Sequence, residues 1–141
     1  MDGNGPVVLA VGPLVGPLIP ALSELPYEHR PSLWLVSELP ITNLPSDFVA
    51  DLSRSGHIIV LEEHTAHGGL GQMISHALLS ASVPVSKFTH HRAQGYVTGL
   101  YGSQKFHRNE CGLSPDSVLE SCTWEHSVES LLVALSKPNV S

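Results

Sequence analysis

Short apolar runs alternate along the chain with segments whose apolar residues recur at helical spacing. A strand covered on both faces reads as an unbroken apolar run, whereas a helix facing a core shows periodic apolar positions. The runs that predict buried strands are Val7–Val11, Leu33–Val36, Ile58–Leu61 and Val83–Phe88. Strands that alternate with helices form a mostly parallel sheet with helices on both faces, and this α/β class is the predicted fold.

Helices are predicted after the first three strands. One begins near Pro17 and ends by Leu25, because proline is tolerated in a first helical turn. A second covers Ser46–Arg54, where the first two residues can cap it and Gly56 can stop it. A third, Leu70–Ala81, has an apolar stripe at helical spacing.

The chain after the fourth strand is less regular. Several glycines in Thr89–His107 predict a loop without long regular elements. A helix start is predicted at Ser114, as N-cap, with Pro115 at the first helical position. A last helix is predicted to stop before Pro138. Its apolar residues are Trp124, Val128, Leu131, Leu132 and Leu135.

Composition narrows the classes of function. The 141 residues suit a single domain, residues 1–141, with a real core. A formal net charge of −6 argues against binding nucleic acid. No apolar run approaches the ~20 residues of a membrane span, and the first residues lack a basic signal-peptide region. Two cysteines, Cys111 and Cys122, form no disulfide framework, so we expect a reducing, cytoplasmic setting.

Polar residues directly follow the third strand. Glu62, Glu63 and His64 place two carboxylates and a titratable ring at its carboxyl end, where loops of open α/β sheets commonly carry function. They could form an acid–base group, with His64 as the base of a small hydrolase. Adjacent strand residues point to opposite sides, however. One carboxylate could therefore cap or pair nearby while the other meets solvent or a partner chain.

A turn that combines a histidine with glycines comes next, and its residues are His67, Gly68, Gly69 and Gly71. His64 and His67 with Glu63 could bind a metal, since two histidines and a carboxylate suffice in some zinc sites. Free amides at the helix start could instead bind an anion, although no P-loop lysine is present. The remaining possibility is a tight strand-to-helix turn in which Gly71 permits close packing.

A partly basic group of residues lies in and after the glycine-rich segment. Its members are Arg92, Tyr96, Tyr101, Ser103, Lys105, His107 and Arg108. They could form a polar surface for a phosphorylated substrate or a partner, or simply a solvated loop. No Gly-x-Ser-x-Gly elbow or catalytic-cysteine motif accompanies them.

Three segments together resemble the C-terminal domain of the transketolase family. That family includes transketolase, 1-deoxyxylulose-5-phosphate synthase and the β subunits of 2-oxoacid dehydrogenase E1 components. The segments, in order, are Val8–Val15, Glu62–Gly71 and Gly112–Val118. The resemblance covers most of the chain. It implies a three-layer α/β/α fold with a mixed, mostly parallel sheet of about five strands, one of them antiparallel.

The resemblance implies an assembly role. In the family this domain binds no cofactor, packs beside the domains that do, and helps to shape the active-site entrance. We therefore expect a domain or subunit of a thiamine-diphosphate-dependent enzyme, in a homo- or hetero-oligomer with a chain that carries the cofactor-binding domains. The candidates for the interface or substrate entrance are Glu62, Glu63, His64, His67, Gly68, Gly69, Gly71, Arg92, Ser103 and His107.

Thiamine diphosphate and magnesium would belong to the complete enzyme. The chain has no Gly-Asp-Gly diphosphate motif, so we do not expect it to bind the cofactor or to be catalytic alone. The alternative is an independent regulatory α/β domain for a small molecule or an anion, using the Glu62–Gly71 and Arg92–Arg108 loops.

Overall fold

The computed structural model describes residues 1–123 and contains four strands joined by helices. The strands are β1 (Val7–Val11), β2 (Ser32–Val36), β3 (His57–Leu61) and β4 (Lys87–His91). They form one sheet in the order β2-β1-β3-β4, and every neighbouring pair is parallel. The resemblance implied about five strands with one antiparallel, whereas residues 1–123 form four strands, all parallel.

Helices follow each strand. They are α1 (Val15–Ser23), α2 (Ser46–Ser55), α3 (Leu70–Ser80), α4 (Gln104–Glu110) and α5, described over residues 115–123. A single 3-10 turn, Gly12–Leu14, leads from β1 into α1. The helix predicted beyond residue 123 lies outside the described residues. Within residues 1–123, no helix is both long enough and apolar enough to cross a membrane.

The helices cover both faces of the sheet. Leu18 of α1 and Val118 of α5 belong to one core cluster, and Phe48 of α2 and Ile74 of α3 belong to the other. From β1 the chain moves to β2 at one edge and then returns past β1 to β3 and β4. Because the direction of travel reverses, right-handed crossovers place α1 on the face opposite α2 and α3. The result is the expected three-layer α/β/α arrangement.

The two central strands, β1 and β3, carry the core. Their alternate residues divide between the two clusters: Val8 and Ile59 face one side, and Val7 and Ile58 face the other. All four side chains are fully buried. Burying a side chain of this size stabilises the fold by about 1.5–3 kcal/mol. The unbroken apolar runs therefore predicted both strands correctly.

One predicted helix boundary and one predicted helix cap need correction. Helix α1 begins at Val15 rather than near Pro17, and Pro20 lies inside it. Pro17 falls in the first turn, where the missing N–H costs no intrahelical bond. Helix α2 has Pro45 at its N-cap and no side-chain cap bond, so the predicted capping by its first two residues is wrong. Gly56 ends α2 in the left-handed conformation, at φ 66°, as predicted.

The fourth strand was placed too early. The prediction was Val83–Phe88, but β4 pairs with β3 from Lys87 to His91. Val83 and Val85 do pack against the core, yet from the loop that precedes the strand. Because β4 lies at the edge of the sheet and is only partly buried, it needs no unbroken apolar run.

The segment predicted as irregular contains regular structure at both ends. It begins with the last residues of β4 and ends within α4, Gln104–Glu110. The later helix start is confirmed, because the hydroxyl of Ser114 accepts a hydrogen bond from the amide of Ser117 at 3.3 Å and Pro115 is the first helical residue.

Candidate functional site

Glu62 sits at the carboxyl end of β3 and points into the protein. Its side chain is 1% exposed. One carboxylate oxygen accepts the amide of Leu70 at 2.6 Å, and the other accepts the amide of Gly71 at 2.8 Å. These amides belong to the first turn of α3, which lacks intrahelical acceptors. Glu62 therefore caps the helix from the preceding strand, and the negative charge faces the positive end of the helix dipole.

His90 of β4 completes this buried group. Its Nε2 donates to Oε1 of Glu62 at 2.7 Å. The backbone amide of Glu62 also donates to the carbonyl of His91 at 3.1 Å. The Glu62 carboxylate thus accepts three hydrogen bonds that join β3, α3 and β4. A buried carboxylate with this many donors is held in one place, which suits a structural anchor.

The buried group of Glu62 and His90 explains why two of the candidate positions are glycine. A β-carbon at Gly69 would lie 2.1 Å from Oε2 of Glu62, and one at Gly71 would lie 2.3 Å from Cε1 of His90. Neither distance is compatible with a real side chain, so only glycine lets the carboxylate and the imidazole approach α3 this closely. Gly68 has φ +76°, and its amide donates to the side-chain oxygen of Gln72 at 2.7 Å.

Glu63 points away from Glu62 and joins α4. Nε of Arg108 donates to Oε1 of Glu63 at 2.6 Å, and the side-chain Nε2 of Gln104 donates to the same atom at 3.1 Å. The hydrogen bond from Arg108 lowers the pKa of Glu63, and the same bond raises the pKa of Arg108. The two adjacent glutamates therefore have separate partners and do not form one acid–base site.

His64 and His67 lie on the exposed part of the β3–α3 loop. Among residues 1–123, the only hydrogen-bond partner of His64 Nδ1 is the carbonyl of its neighbour Thr65, at 3.1 Å. His67 makes no hydrogen bond within residues 1–123. In the same part of the chain, no three His, Cys, Asp or Glu side chains are placed to hold a metal ion. The loop presents the two imidazoles to the outside without bringing them to a common point.

The amides that could have bound an anion at the glycine turn are already hydrogen-bonded within the protein. The amides of Leu70 and Gly71 would be the natural anion ligands at the start of α3. Both are already bonded to the carboxylate of Glu62. The structure supports the alternative, a tight strand-to-helix turn with close packing at Gly71.

The remaining candidates lie on the loop after β4 and on α4. Ser103 caps α4 by accepting the amide of Phe106 at 3.2 Å. Nε2 of His107 accepts the amide of Gly102 at 3.2 Å, so its Nδ1 carries the proton and donates to Glu110 at 3.2 Å. Arg92 is half-buried and forms no ion pair within residues 1–123. Ser103 and His107 thus hold the loop in shape.

The sequence prediction missed His90 and His91. Nδ1 of His91 donates to the carbonyl of Gly112 at 2.7 Å, and its Nε2 lies 2.9 Å from the hydroxyl of Ser121. Burial lowers the pKa of His91, which favours the neutral ring. A strand placed too early left both histidines in a loop. In the structure His90 points toward α3 and His91 points toward α5, as adjacent residues of a strand do. Extending the predicted strand through these two histidines would have indicated that they face opposite sides of the sheet.

Neither cysteine is suited to nucleophilic chemistry. Cys111 and Cys122 are both free and buried in the core cluster that contains α1 and α5. Burial raises the pKa of Cys122 to about 12, so its thiol stays protonated at neutral pH.

Comparison with known proteins gives a match at the level of fold. A chain described as a split-gene transketolase, solved as an inactive β4 tetramer, superimposes with a TM-score of 0.63 and 18% sequence identity. The match covers 86% of this chain and 39% of that chain, so the present chain spans about two fifths of the solved one. No protein-family profile and no curated protein matches the sequence. The fold is therefore transketolase-like.

Proposed function

We propose that this chain is the C-terminal, non-cofactor-binding domain or subunit of a transketolase-like enzyme that depends on thiamine diphosphate. Its role is to pack against the cofactor-binding domains, to support the oligomer and to line the approach to the active site. The transketolase-like fold supports this proposal, and so does the span of the match, 39% of the solved split-gene transketolase chain. The rest of such an enzyme is supplied by a further chain or further domains.

The observation that carries the proposal is the anchoring of the β3–α3 loop. Glu62 fixes the loop from the inside, through α3 and His90, and the Glu63–Arg108 pair fixes it to α4. His64 and His67 remain exposed on this fixed loop. A rigid loop at the carboxyl edge of the sheet that presents exposed polar groups suits recognition of another surface.

A second loop at the same edge adds exposed apolar area. The loop after β4 carries Tyr96 at 65% exposed and Tyr101 at 91% exposed, with Val97 and Leu100 beside them. The amide of Ala93 donates to the carbonyl of His64 at 3.1 Å, which joins this loop to the β3–α3 loop. Tyrosines are enriched at interfaces, and contiguous exposed apolar residues commonly mark a contact surface. The two loops together form the proposed contact surface.

The chemistry belongs to the complete enzyme. Thiamine diphosphate and magnesium are bound by the cofactor-carrying domains, and this chain contributes no catalytic residue to them. Both glutamates after β3 serve as structural partners, and the thiol of Cys122 is protonated. The polar side chains that this chain directs toward an approaching substrate are those of the contact surface, chiefly His64 and His67.

Affinity capture from cells of the source organism tests the proposal. A tagged chain is used as bait, and the co-purifying proteins are identified by mass spectrometry. We expect a chain with a Gly-Asp-Gly diphosphate motif in stoichiometric amount, and thiamine-diphosphate-dependent turnover in the eluted complex. Recovery of the bait alone, or with chains that lack cofactor-binding domains, would contradict the proposal.

A further inference from the structure

A cavity of about 220 Å³ lies on the α2–α3 face of the sheet, beneath the loop of residues 37–45. Its floor is formed by Leu9, Trp34, Phe48 and Ile74. It has room for about seven water molecules, at roughly 30 Å³ each. Pockets that enclose drug-sized ligands measure about 300–1,000 Å³, so this one suits a smaller molecule. It opens near the carboxyl end of β2, away from the β3–α3 loop.

The floor is formed before any ligand arrives. The indole Nε1 of Trp34 donates to Oδ2 of Asp51 at 3.1 Å. The Trp34 and Phe48 rings meet edge to face, with centroids 5.6 Å apart at 86°. Phe48 is 2% exposed and Ile74 is 1% exposed. Because these side chains are already packed, a ligand would bind without ordering the floor, which removes one of the usual costs of binding.

The rim supplies polar groups without protein partners. Ser37, Glu38, Thr42 and Asn43 line the cavity, and within residues 1–123 none of their side chains makes a hydrogen bond or ion pair. Among the described residues that line the cavity, Glu38 is the only charged one. Its carboxylate repels anions and attracts cations, in agreement with the net charge of −6 on the whole chain.

We propose that this cavity binds a small primary amine with a flat, apolar body. The body rests on the apolar floor, where aromatic rings favour edge-to-face or offset contact with a flat ligand. The ammonium group lies at the rim, where it pairs with Glu38 and donates to the hydroxyl of Thr42 or the amide oxygen of Asn43. The site is separate from the contact surface formed by the β3–α3 loop and the loop after β4. The amine-binding proposal is therefore tested independently of the proposed assembly role.

Titration with phenethylamine tests the proposal by nuclear magnetic resonance on the full chain labelled with nitrogen-15. We expect saturable shifts of the Trp34 indole signal and of the amides of residues 37–39 and 41–44 at millimolar concentrations, as suits a ligand this small. The neutral 2-phenylethanol should bind about threefold to fivefold more weakly, the value of one exposed ion pair. The anionic 3-phenylpropanoate should bind more weakly still.

A charge-neutral variant with a matched control completes the test. Glu38→Gln should reduce phenethylamine affinity to that of 2-phenylethanol, and Glu28→Gln, the same change at an exposed residue between α1 and β2, should leave it unchanged. The proposal is overturned by the absence of saturable shifts up to about 10 mM. It is also overturned by shifts that fall outside the cavity, or by equal affinity for the amine and the carboxylate.

Discussion

Gly71 and His90 fit together so closely that a β-carbon on the glycine would lie 2.3 Å from Cε1 of the imidazole. The imidazole occupies that place because its Nε2 is bonded to Oε1 of Glu62, 2.7 Å away. The same carboxylate oxygen accepts the amide of Gly71 at 2.8 Å. The glycine, the histidine and the glutamate therefore form one interlocked unit at the carboxyl edge of the sheet.

Gly71→Ala should destabilise the chain by about 1–3 kcal/mol, the usual cost of overpacking a filled site. Gly16→Ala is the matched control, because a β-carbon there meets nothing within 4 Å. That control should be neutral or stabilising by up to about 1 kcal/mol, since alanine restricts the unfolded chain. Urea unfolding of the two variants and the parent measures both effects. Equal losses at the two glycines would contradict the interlocked geometry.

The same pair can be examined by a double-mutant cycle. In a His90→Ala background the ring that blocks position 71 is gone, so Gly71→Ala should cost clearly less than it does in the parent. We expect a coupling free energy of about 0.5–3 kcal/mol, as is typical of residues in contact. Additive effects would show that the glycine is required for some reason other than the imidazole.

Glu62→Ala should be among the most damaging single substitutions at this edge of the sheet. It removes the acceptor of two helix amides and of His90, and it leaves those donors without a partner in a buried place. Losing a helix cap costs about 0.5–2 kcal/mol, and each buried donor left without an acceptor adds about 1–3 kcal/mol. Glu62→Gln keeps one acceptor oxygen and should lose less. Denaturant unfolding would contradict this account if the two variants were equally stable.

His91 should make stability depend on pH. Burial lowers the pKa of His91 below the ordinary value of 6.5. As pH falls below about 6.5, the imidazole therefore binds a proton more readily in the unfolded chain than in the folded chain. The free energy of unfolding should therefore be highest above about pH 6.5 and should fall as pH drops toward the lowered pKa. His91→Asn keeps a donor for Gly112 but cannot titrate, and its stability should fall less between about pH 7.5 and pH 5.5.

The control for that measurement is His76→Asn, at an exposed histidine on α3. It should retain the parent's pH dependence, because it leaves the buried ring of His91 in place. A parent-like slope in His91→Asn would show that the buried ring is not the source of the pH dependence.

The fold was more predictable from sequence than the site. Strands β1 and β3 are buried on both faces, and their unbroken apolar runs therefore predict them correctly. Strand β4 is a partly buried edge, so its Thr-His-His ending carries no apolar signal and the sequence pattern predicts a loop there. That one misplacement hid His90, and without His90 nothing in the sequence shows why Gly71 must be glycine.

The sequence did not show which of the two adjacent glutamates is buried. Strand alternation indicated that Glu62 and Glu63 point in opposite directions. It could not say which one is buried, because that depends on where α3 begins and on the position of Arg108, 45 residues away. The cavity beneath the 37–45 loop was equally hidden, since it arises from β2, α2 and α3 together.

The isolated chain should not bind thiamine diphosphate with magnesium. The prediction follows from the absence of a Gly-Asp-Gly motif in the sequence and from the use of the α3 amides by Glu62. Titration calorimetry at millimolar ligand should give no saturable heat. A micromolar dissociation constant would remove the reason for assigning the cofactor to a partner chain.

The direct test of the assembly role is the affinity of the chain for its cofactor-carrying partner, measured with His64 and His67 both changed to alanine. These side chains are exposed, so the free energy of unfolding should change by no more than about 0.5 kcal/mol. Truncating central interface residues costs more than about 1 kcal/mol, so affinity should fall at least about fivefold. His76→Ala, an exposed histidine elsewhere on the chain, should bind like the parent. Parent-like affinity in the double variant, with its fold intact, would contradict the assembly role of this loop.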